Sequence, residues 1–180
     1  MMVASVASQR LVYRVVFGLL GAVLIFLYLL PLDTTPGRFP GPDLLLCLAF
    51  AWVQRRPDFL PPFLLVGVFL MADMLLMRPP GLWTALVLLG AEFLRSRHGG
   101  TGELPFPAEW AFTAMVIAAI SLVYMLVLSL FAVDHGQPVM ALMRAALTIA
   151  FYPLVVLFCH HGLTLRRLSP GDVDPHGVPR

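Results

Sequence analysis

Residues 110–133 read WAFTAMVIAAISLVYMLVLSLFAV, twenty-four residues without a charge. An uncharged apolar run of 18 or more residues is long enough to cross a bilayer as a helix. The rest of the 180-residue chain has the same character, with 59% hydrophobic and 12% charged residues, whereas a soluble domain carries about 25% charged residues. The composition therefore predicts an all-α membrane protein and excludes an ordinary soluble domain.

Six apolar segments follow one another, each ended by Arg, Asp, Pro or Gly. They run over residues 15–32, 42–53, 59–77, 82–94, 110–133 and 139–165. A spanning helix needs about 17 to 25 residues, so full crossing is open for segments 42–53 and 82–94. Because short cytoplasmic loops are enriched in arginine, we predict a bundle of about six transmembrane helices with both termini in the cytoplasm. This topology leaves only Arg38 and Arg78 in outer loops and places Arg144 within the last span.

The sequence predicts one integral-membrane helical domain over residues 1–168, which begins with a retained signal anchor, and a disordered cytoplasmic tail over residues 169–180. All 12 basic residues are arginine and the net charge is only +2, so there is no broad basic face for nucleic acid. The sequence contains no catalytic triad pattern, P-loop, zinc-protease motif or carboxylate cluster. We therefore predict neither an enzyme nor a bound cofactor or metal.

Three helix starts are marked by a proline and an acid that share a first helical turn. They are Gly41-Pro42-Asp43, Pro57-Asp58 and Pro107-Ala108-Glu109. Proline costs nothing in a first helical turn, and a carboxylate there interacts favourably with the helix dipole.

Asp73 is the clearest polar signal, because a charged side chain within a span is costly and normally faces protein or water. On the predicted topology, Asp73 and Arg144 lie within about two turns of the outer ends of their spans. We expect them to form an ion pair; the alternative is that each snorkels separately to the outer headgroups. Glu92 is expected to pair with Arg95 one helical turn later, and a role for Glu92 in a proton path is the alternative.

Small residues recur at a spacing of four. Such pairs let helix backbones approach closely, which is a main source of helix association in lipid. We expect them to mark helix packing, either within the bundle or against the span of a partner. The pairs are Gly18 with Ala22, Ala114 with Ala118, and Ala141 with Ala145.

Several short motifs, taken together, resemble those of MreD, a family of rod-shape-determining membrane proteins. They are GPDLLL at residues 41–46, Trp52, RRP at residues 55–57, Asp73, RPPGLWTAL at residues 78–86, and Tyr152-Pro153 followed by an arginine-rich end. The resemblance covers nearly the whole chain, from about Arg10 to Arg167. Pro42, Asp43, Asp73 and Gly81 match the signature positions of the family.

The resemblance implies a non-enzymatic scaffold of the cell-elongation complex in the bacterial inner membrane, which supports cell shape and lateral peptidoglycan synthesis. Proteins of this family associate with the bitopic membrane protein MreC and, through it, with MreB, RodA and a class B penicillin-binding protein. The family fold is similar to the substrate-binding subunit of energy-coupling-factor transporters. Contacts with membrane lipids are expected from the cytoplasmic arginines.

Two other functions are open at this point. A small-solute transporter or substrate-binding membrane subunit would need a polar cavity among the helices, for which Asp73, Arg144 and Glu92 are the candidate residues. For a lipid-modifying enzyme, the only candidate catalytic residues are His160, His161 and Glu92. The sequence leaves open the stoichiometry and the helix face that binds the partner.

Overall fold

The computed structural model describes residues 2–30, 41–97, 105–131 and 137–162. Within these ranges the regular elements are all helical. The α-helices are α1 (Met2–Leu29), α2 (Leu44–Arg55), α3 (Pro62–Leu75), α4 (Leu82–Arg97), α5 (Phe106–Leu130) and α6 (Pro138–Gly162), with a 3-10 turn at Pro57–Phe59 between α2 and α3. The tail predicted to be disordered, residues 169–180, lies outside the described residues.

Three of the helices contain stretches long and apolar enough to cross a membrane. These stretches are Arg10–Leu29 in α1, Phe106–Leu130 in α5 and Pro138–His161 in α6, with 20, 25 and 24 residues. The chain is therefore a helical membrane protein. Helices α2, α3 and α4 have 12, 14 and 16 residues, and at 1.5 Å per residue each is shorter than the ~30 Å hydrocarbon core.

Helix α3 is shorter than the predicted segment 59–77 because the chain before it turns. The predicted helix start at Pro57-Asp58 is wrong: residues Pro57–Phe59 form a separate 3-10 turn, and α3 begins at Pro62. The other two predicted starts are confirmed. Asp43 caps α2 through its side chain, and α5 begins with a proline in its first turn and Glu109 close behind.

Helix α2 forms the centre of the bundle. All its residues from Leu45 to Gln54 are buried, including the large side chains of Phe50 and Trp52. It packs most extensively against α6 and also touches α1 and α4. A helix that is apolar on every side is buried by its neighbours, which explains how a 12-residue helix lies in the core. Large apolar side chains of α1, α5 and α6 remain exposed on the outside.

Among the glycines that the structure describes, the two with the tightest surroundings were not included in the small-residue pattern. A Cβ added to Gly21 would lie 2.9 Å from Val68 on α3, and a Cβ added to Gly90 would lie 2.9 Å from Val116 on α5. Gly18, by contrast, has nothing within 4 Å of such a Cβ, and its partner Ala22 is exposed. The spacing identified small residues but not the face of the helix that meets a neighbour.

The other two predicted pairs lie partly inside the bundle. Ala114 and Ala118 on α5 are half-buried, as is Ala141 on α6, whereas Ala145 is buried. Ala141 and Ala145 line a cavity described below.

Candidate functional site

The carboxylate of Asp73 caps the helix that follows it. Asp73 lies in the last turn of α3 and is fully buried. Its Oδ2 accepts hydrogen bonds from the backbone N–H of Gly81 (3.2 Å), the backbone N–H of Thr84 (3.1 Å) and the hydroxyl of Thr84 (2.7 Å). The first N–H groups of a helix lack partners within it and carry partial positive charge. Asp73 therefore joins α3 and α4 into one unit.

The predicted ion pair between Asp73 and Arg144 is wrong. The Oδ2 of Asp73 instead accepts hydrogen bonds from residues at the start of α4. The guanidinium of Arg144 makes no hydrogen bond or ion pair with any residue that the structure describes. The physical reason is that α4 begins close to Asp73 in the chain, so its N-terminus supplies the positive partial charge that the prediction had assigned to an arginine.

The turn between α3 and α4 holds two residues in the left-handed region. Met77 has a φ of +54° and Gly81 a φ of +86°. The N–H of Arg78 donates to the carbonyl of Asp73 at 3.0 Å, which is the hydrogen bond that closes a helix C-terminus in the Schellman motif. The backbone of this turn is thus held at both of its ends by Asp73.

Asp43 holds the start of α2 against α6. Its Oδ1 accepts from the N–H of Leu46 at 3.1 Å, and its own N–H donates to the Thr148 hydroxyl at 2.9 Å. The same hydroxyl donates to the carbonyl of Arg144 at 2.7 Å. The Oδ2 of Asp43 lies 3.7 Å from the guanidinium of Arg78. Asp43 thereby links α2, α6 and the α3–α4 turn.

Asp43, Asp73, Arg78, Gly81 and Thr84 form a group that we call the capping cluster. Arg78 connects its two acids, since its side chain faces Asp43 and its backbone bonds to Asp73. Pro42, the remaining signature position, lies beside the cluster and accepts a hydrogen bond from Tyr28 of α1 at 3.2 Å.

A cavity of about 660 Å³ lies next to the capping cluster, at the end of the bundle where α2 begins and α5 ends. Its apolar lining includes Trp83, Ile117 and Leu128. Its polar lining includes Asp43, Arg78, Ser121, Tyr124, Gln137, Arg144 and Thr148. Cavities of 300–1,000 Å³ with mainly apolar walls and a few polar groups are typical of ligand sites.

Glu92 is remote from this cavity. It is exposed on α4 and forms the expected ion pair with Arg95, whose guanidinium also donates to the carbonyl of Leu60 at 2.8 Å. The geometry is that of a helix-surface pair which fastens α4 to the segment before α3.

A third buried acid was not predicted as a site. Glu109, at the start of α5, is 2% exposed and accepts a hydrogen bond from the hydroxyl of Tyr152 on α6 at 3.2 Å. The carbonyl of Glu109 accepts from the Thr113 hydroxyl at 2.9 Å, and that hydroxyl accepts from the side chain of Gln54 at 3.0 Å. The sequence marked Glu109 only as a helix cap. An acid in the first turn of a 25-residue helix with no other charged residue was the available signal.

Comparison with known proteins found no family model, no curated protein and no solved structure that matches this chain.

Proposed function

We propose that the protein is a non-enzymatic scaffold of the bacterial cell-elongation complex in the inner membrane, of the MreD type, which binds an MreC-type bitopic protein. Through that partner it would be linked to MreB, RodA and a class B penicillin-binding protein. The observation that carries the proposal is the convergence of the four signature positions. Pro42 and Asp43 come from one stretch of the chain and Asp73 and Gly81 from another, and all four lie in or beside one capping cluster.

This convergence supports a common structural origin. A chance similarity of short apolar motifs gives no reason for the matched residues to contact one another. Here the side chain and the backbone of Arg78, within the matched stretch 78–86, bridge Asp43 and Asp73. The motif therefore corresponds to a three-dimensional unit that sets the relative positions of α2, α3 and α4.

The proposal includes six crossings with both termini in the cytoplasm, and a likeness to the substrate-binding subunit of energy-coupling-factor transporters. Helices α2, α3 and α4 would complete their passage with the aid of the arginines at their ends, because snorkelling and local thinning of the bilayer accommodate short spans at modest cost. Arg55 lies at one end of α2 and Asp43 at the other. Arg95 and Arg97 lie in the last turn of α4.

The outward face of α1 is the surface proposed to hold the partner's span. Gly18 has open space where its Cβ would be, Ala22 is exposed, and Leu19 and Phe26 are also exposed beside them. Because Gly18 and Ala22 are not used for packing within the bundle, they allow close approach of another helix.

Co-purification of a tagged MreC-type protein with the full chain tests the proposal. The double variant Gly18→Leu, Ala22→Leu should reduce recovery of the partner, because bulky side chains prevent close backbone approach. The double variant Ala146→Leu, Ala150→Leu is the matched control, since these two α6 residues are also four apart and exposed.

Recovery that both double variants reduce equally would contradict the assignment of the α1 face. No recovery with the unaltered chain, together with unchanged cell shape when the protein is depleted, would contradict the scaffold function.

The cavity favours a second candidate function, that of a small-solute transporter or substrate-binding membrane subunit. Such proteins bind their substrates in polar cavities among helices, and this cavity has two arginines and an aspartate in its lining. A solute that co-purifies with the protein in detergent would favour this function over the scaffold.

A further inference from the structure

The cavity has a buried floor and an exposed mouth. Leu46, Ala145 and Thr148 in its lining are buried, whereas Met140 and Arg144 are exposed. The space therefore extends from the bundle surface inward to the junction of α2 and α6. A ligand that fills it would be covered by protein at one end and accessible at the other.

The charges around the cavity favour an anion. Its lining contains the guanidinium groups of Arg78 and Arg144 and one carboxylate, that of Asp43. Asp43 faces Arg78 at 3.7 Å, a distance too long for a hydrogen bond. Arg144 has no ion-pair partner in the part of the chain that the structure describes. The second carboxylate of the capping cluster, that of Asp73, accepts its hydrogen bonds from the start of α4. Charged groups within a membrane protein normally pair with a counter-charge, so an anion in the cavity would supply the counter-charge of Arg144.

The walls of the cavity favour a ligand that also has an apolar part. The rings of Trp83 and Tyr124 contact edge to face with centroids 5.1 Å apart, and Ile117 and Leu128 also line the space. The guanidinium of Arg78 lies 5.7 Å from the centre of the Trp83 ring, which restrains the arginine by a cation–π contact. The positive groups and the apolar wall are therefore adjacent.

We propose that this cavity binds an amphipathic organic anion, with a phosphate or carboxylate between Arg78 and Arg144 and an apolar body against Trp83 and Ile117. Guanidinium groups bind such oxyanions by charge-assisted hydrogen bonds. The oxyanion belongs either to a membrane lipid headgroup or to a soluble metabolite. The inference concerns the cavity alone and is independent of the scaffold function.

The first experiment measures binding of a soluble probe to the full-length protein in an uncharged maltoside detergent. Hexyl phosphate is titrated against tryptophan fluorescence, with hexanol as the uncharged probe. We expect saturable binding of hexyl phosphate, and little binding of hexanol. Arg144→Gln should weaken the binding about tenfold or more, because a hydrogen bond to a charged group is lost. Arg10→Gln, an exposed arginine of α1 outside the cavity lining, should leave it unchanged.

The second experiment separates a lipid from a soluble ligand. The protein is taken from nanodiscs of phosphatidylglycerol mixed with phosphatidylcholine, and retained lipids are counted by native mass spectrometry. Selective retention of phosphatidylglycerol that is lost in Arg144→Gln assigns the site to a lipid headgroup. Binding of hexyl phosphate without selective lipid retention assigns it to a soluble anion.

A variant that fills the cavity serves as an independent check. Ser121→Phe adds a ring to a half-buried residue of the lining and should abolish binding in both experiments while far-UV circular dichroism remains unchanged. The proposal is overturned if neither probe nor lipid is retained by the unaltered protein. Equal binding of hexanol and hexyl phosphate, or equal binding by Arg144→Gln and Arg10→Gln, also overturns it.

Discussion

Replacing Asp73 by alanine removes the acceptor of three hydrogen bonds at the start of α4. Two of these bonds come from backbone N–H groups and one, at 2.7 Å, from the Thr84 hydroxyl. A hydrogen bond to a charged group contributes about 1.5–3 kcal/mol, but the bonds share one oxygen and the carboxylate itself is costly to bury. We therefore expect Asp73→Ala to lower the free energy of unfolding by about 3–5 kcal/mol, because three donors lose their acceptor at about 1–3 kcal/mol each and the relief of burying the charge offsets part of that loss.

Asp73→Asn should have a smaller effect, about 1–2 kcal/mol. The amide keeps one acceptor oxygen for the donors of α4 but loses the charge that interacts with the helix dipole. Its NH₂ group would replace Oδ1, which is buried and lacks a hydrogen-bond partner, so the new donor is not satisfied.

The assay is equilibrium unfolding of the full chain in dodecyl maltoside micelles by titration with sodium dodecyl sulfate, followed by circular dichroism. Thr84→Val provides a double-mutant cycle with Asp73→Ala, and the double variant should cost at least about 1 kcal/mol less than the sum of the single variants. Asp58→Ala, the loss of an exposed acid, should change stability by less than about 0.5 kcal/mol.

The reasoning would be refuted by equal losses for Asp73→Ala and Asp73→Asn, or by additive effects in the cycle. The alternative ion pair makes a different prediction, because Arg144→Gln would then destabilise the protein as much as Asp73→Asn. With Asp73 bound to α4, Arg144→Gln should change stability by less than about 0.5 kcal/mol.

Three further predictions use the same unfolding assay. Gly90→Ala should destabilise the protein by about 1–3 kcal/mol, because its Cβ would lie 2.9 Å from a side chain on α5. Gly18→Ala places its Cβ in open space and should be neutral or stabilise the protein by up to about 1 kcal/mol. A residue with a side chain is strained in the left-handed region, whereas glycine is not. Met77→Gly should therefore stabilise the protein by about 1 kcal/mol, because Met77 has a φ of +54° and its side chain is 92% exposed. Gly81→Ala should destabilise it by about 1–2 kcal/mol, because Gly81 has a φ of +86°. Tyr152→Phe removes the hydroxyl that bonds to the buried acid of α5 and should cost about 1–3 kcal/mol.

Each of these predictions has its own contradicting result. Equal effects of alanine at Gly90 and Gly18 would show that the close approach of α4 and α5 is not required for stability. A loss of stability in Met77→Gly would show that the methionine side chain contributes more than the strained backbone costs. A Tyr152→Phe variant as stable as the unaltered chain would show that the Glu109 carboxylate gains nothing from that hydroxyl.

Local patterns predicted the helix ends where the deciding contacts are themselves local. Asp43 caps α2 through an N–H three residues later, so the Pro-Asp pair was sufficient. Pro57-Asp58 failed because the two prolines at residues 61 and 62 delay the start of α3, and a 3-10 turn uses the intervening residues. The pair of Glu92 with Arg95 was predictable because a single helix turn brings the two side chains together.

The partner of Asp73 required the tertiary structure. Depth in the membrane suggested Arg144, but depth does not determine which side of a helix faces which neighbour. The sequence did offer a local alternative to Arg144. An acid before a short turn can cap the following helix, and Thr84, which donates to Asp73, lies only eleven residues after it. The burial of Glu109 and the tight contact at Gly90 could not be predicted from the sequence for the same reason, since both depend on which side of a helix faces a neighbour.

The amino-acid sequence by itself determined that this chain lies in a membrane as helices, because long apolar runs without charge have a lower free energy in lipid than in water and backbone groups there must bond within the helix. Only the tertiary structure decided that a 12-residue helix forms the core and that Asp43, Arg78 and Arg144 surround one cavity. Those three residues lie in three separate regions of the chain, and their meeting depends on how side chains of different helices pack, which no periodicity within one helix specifies.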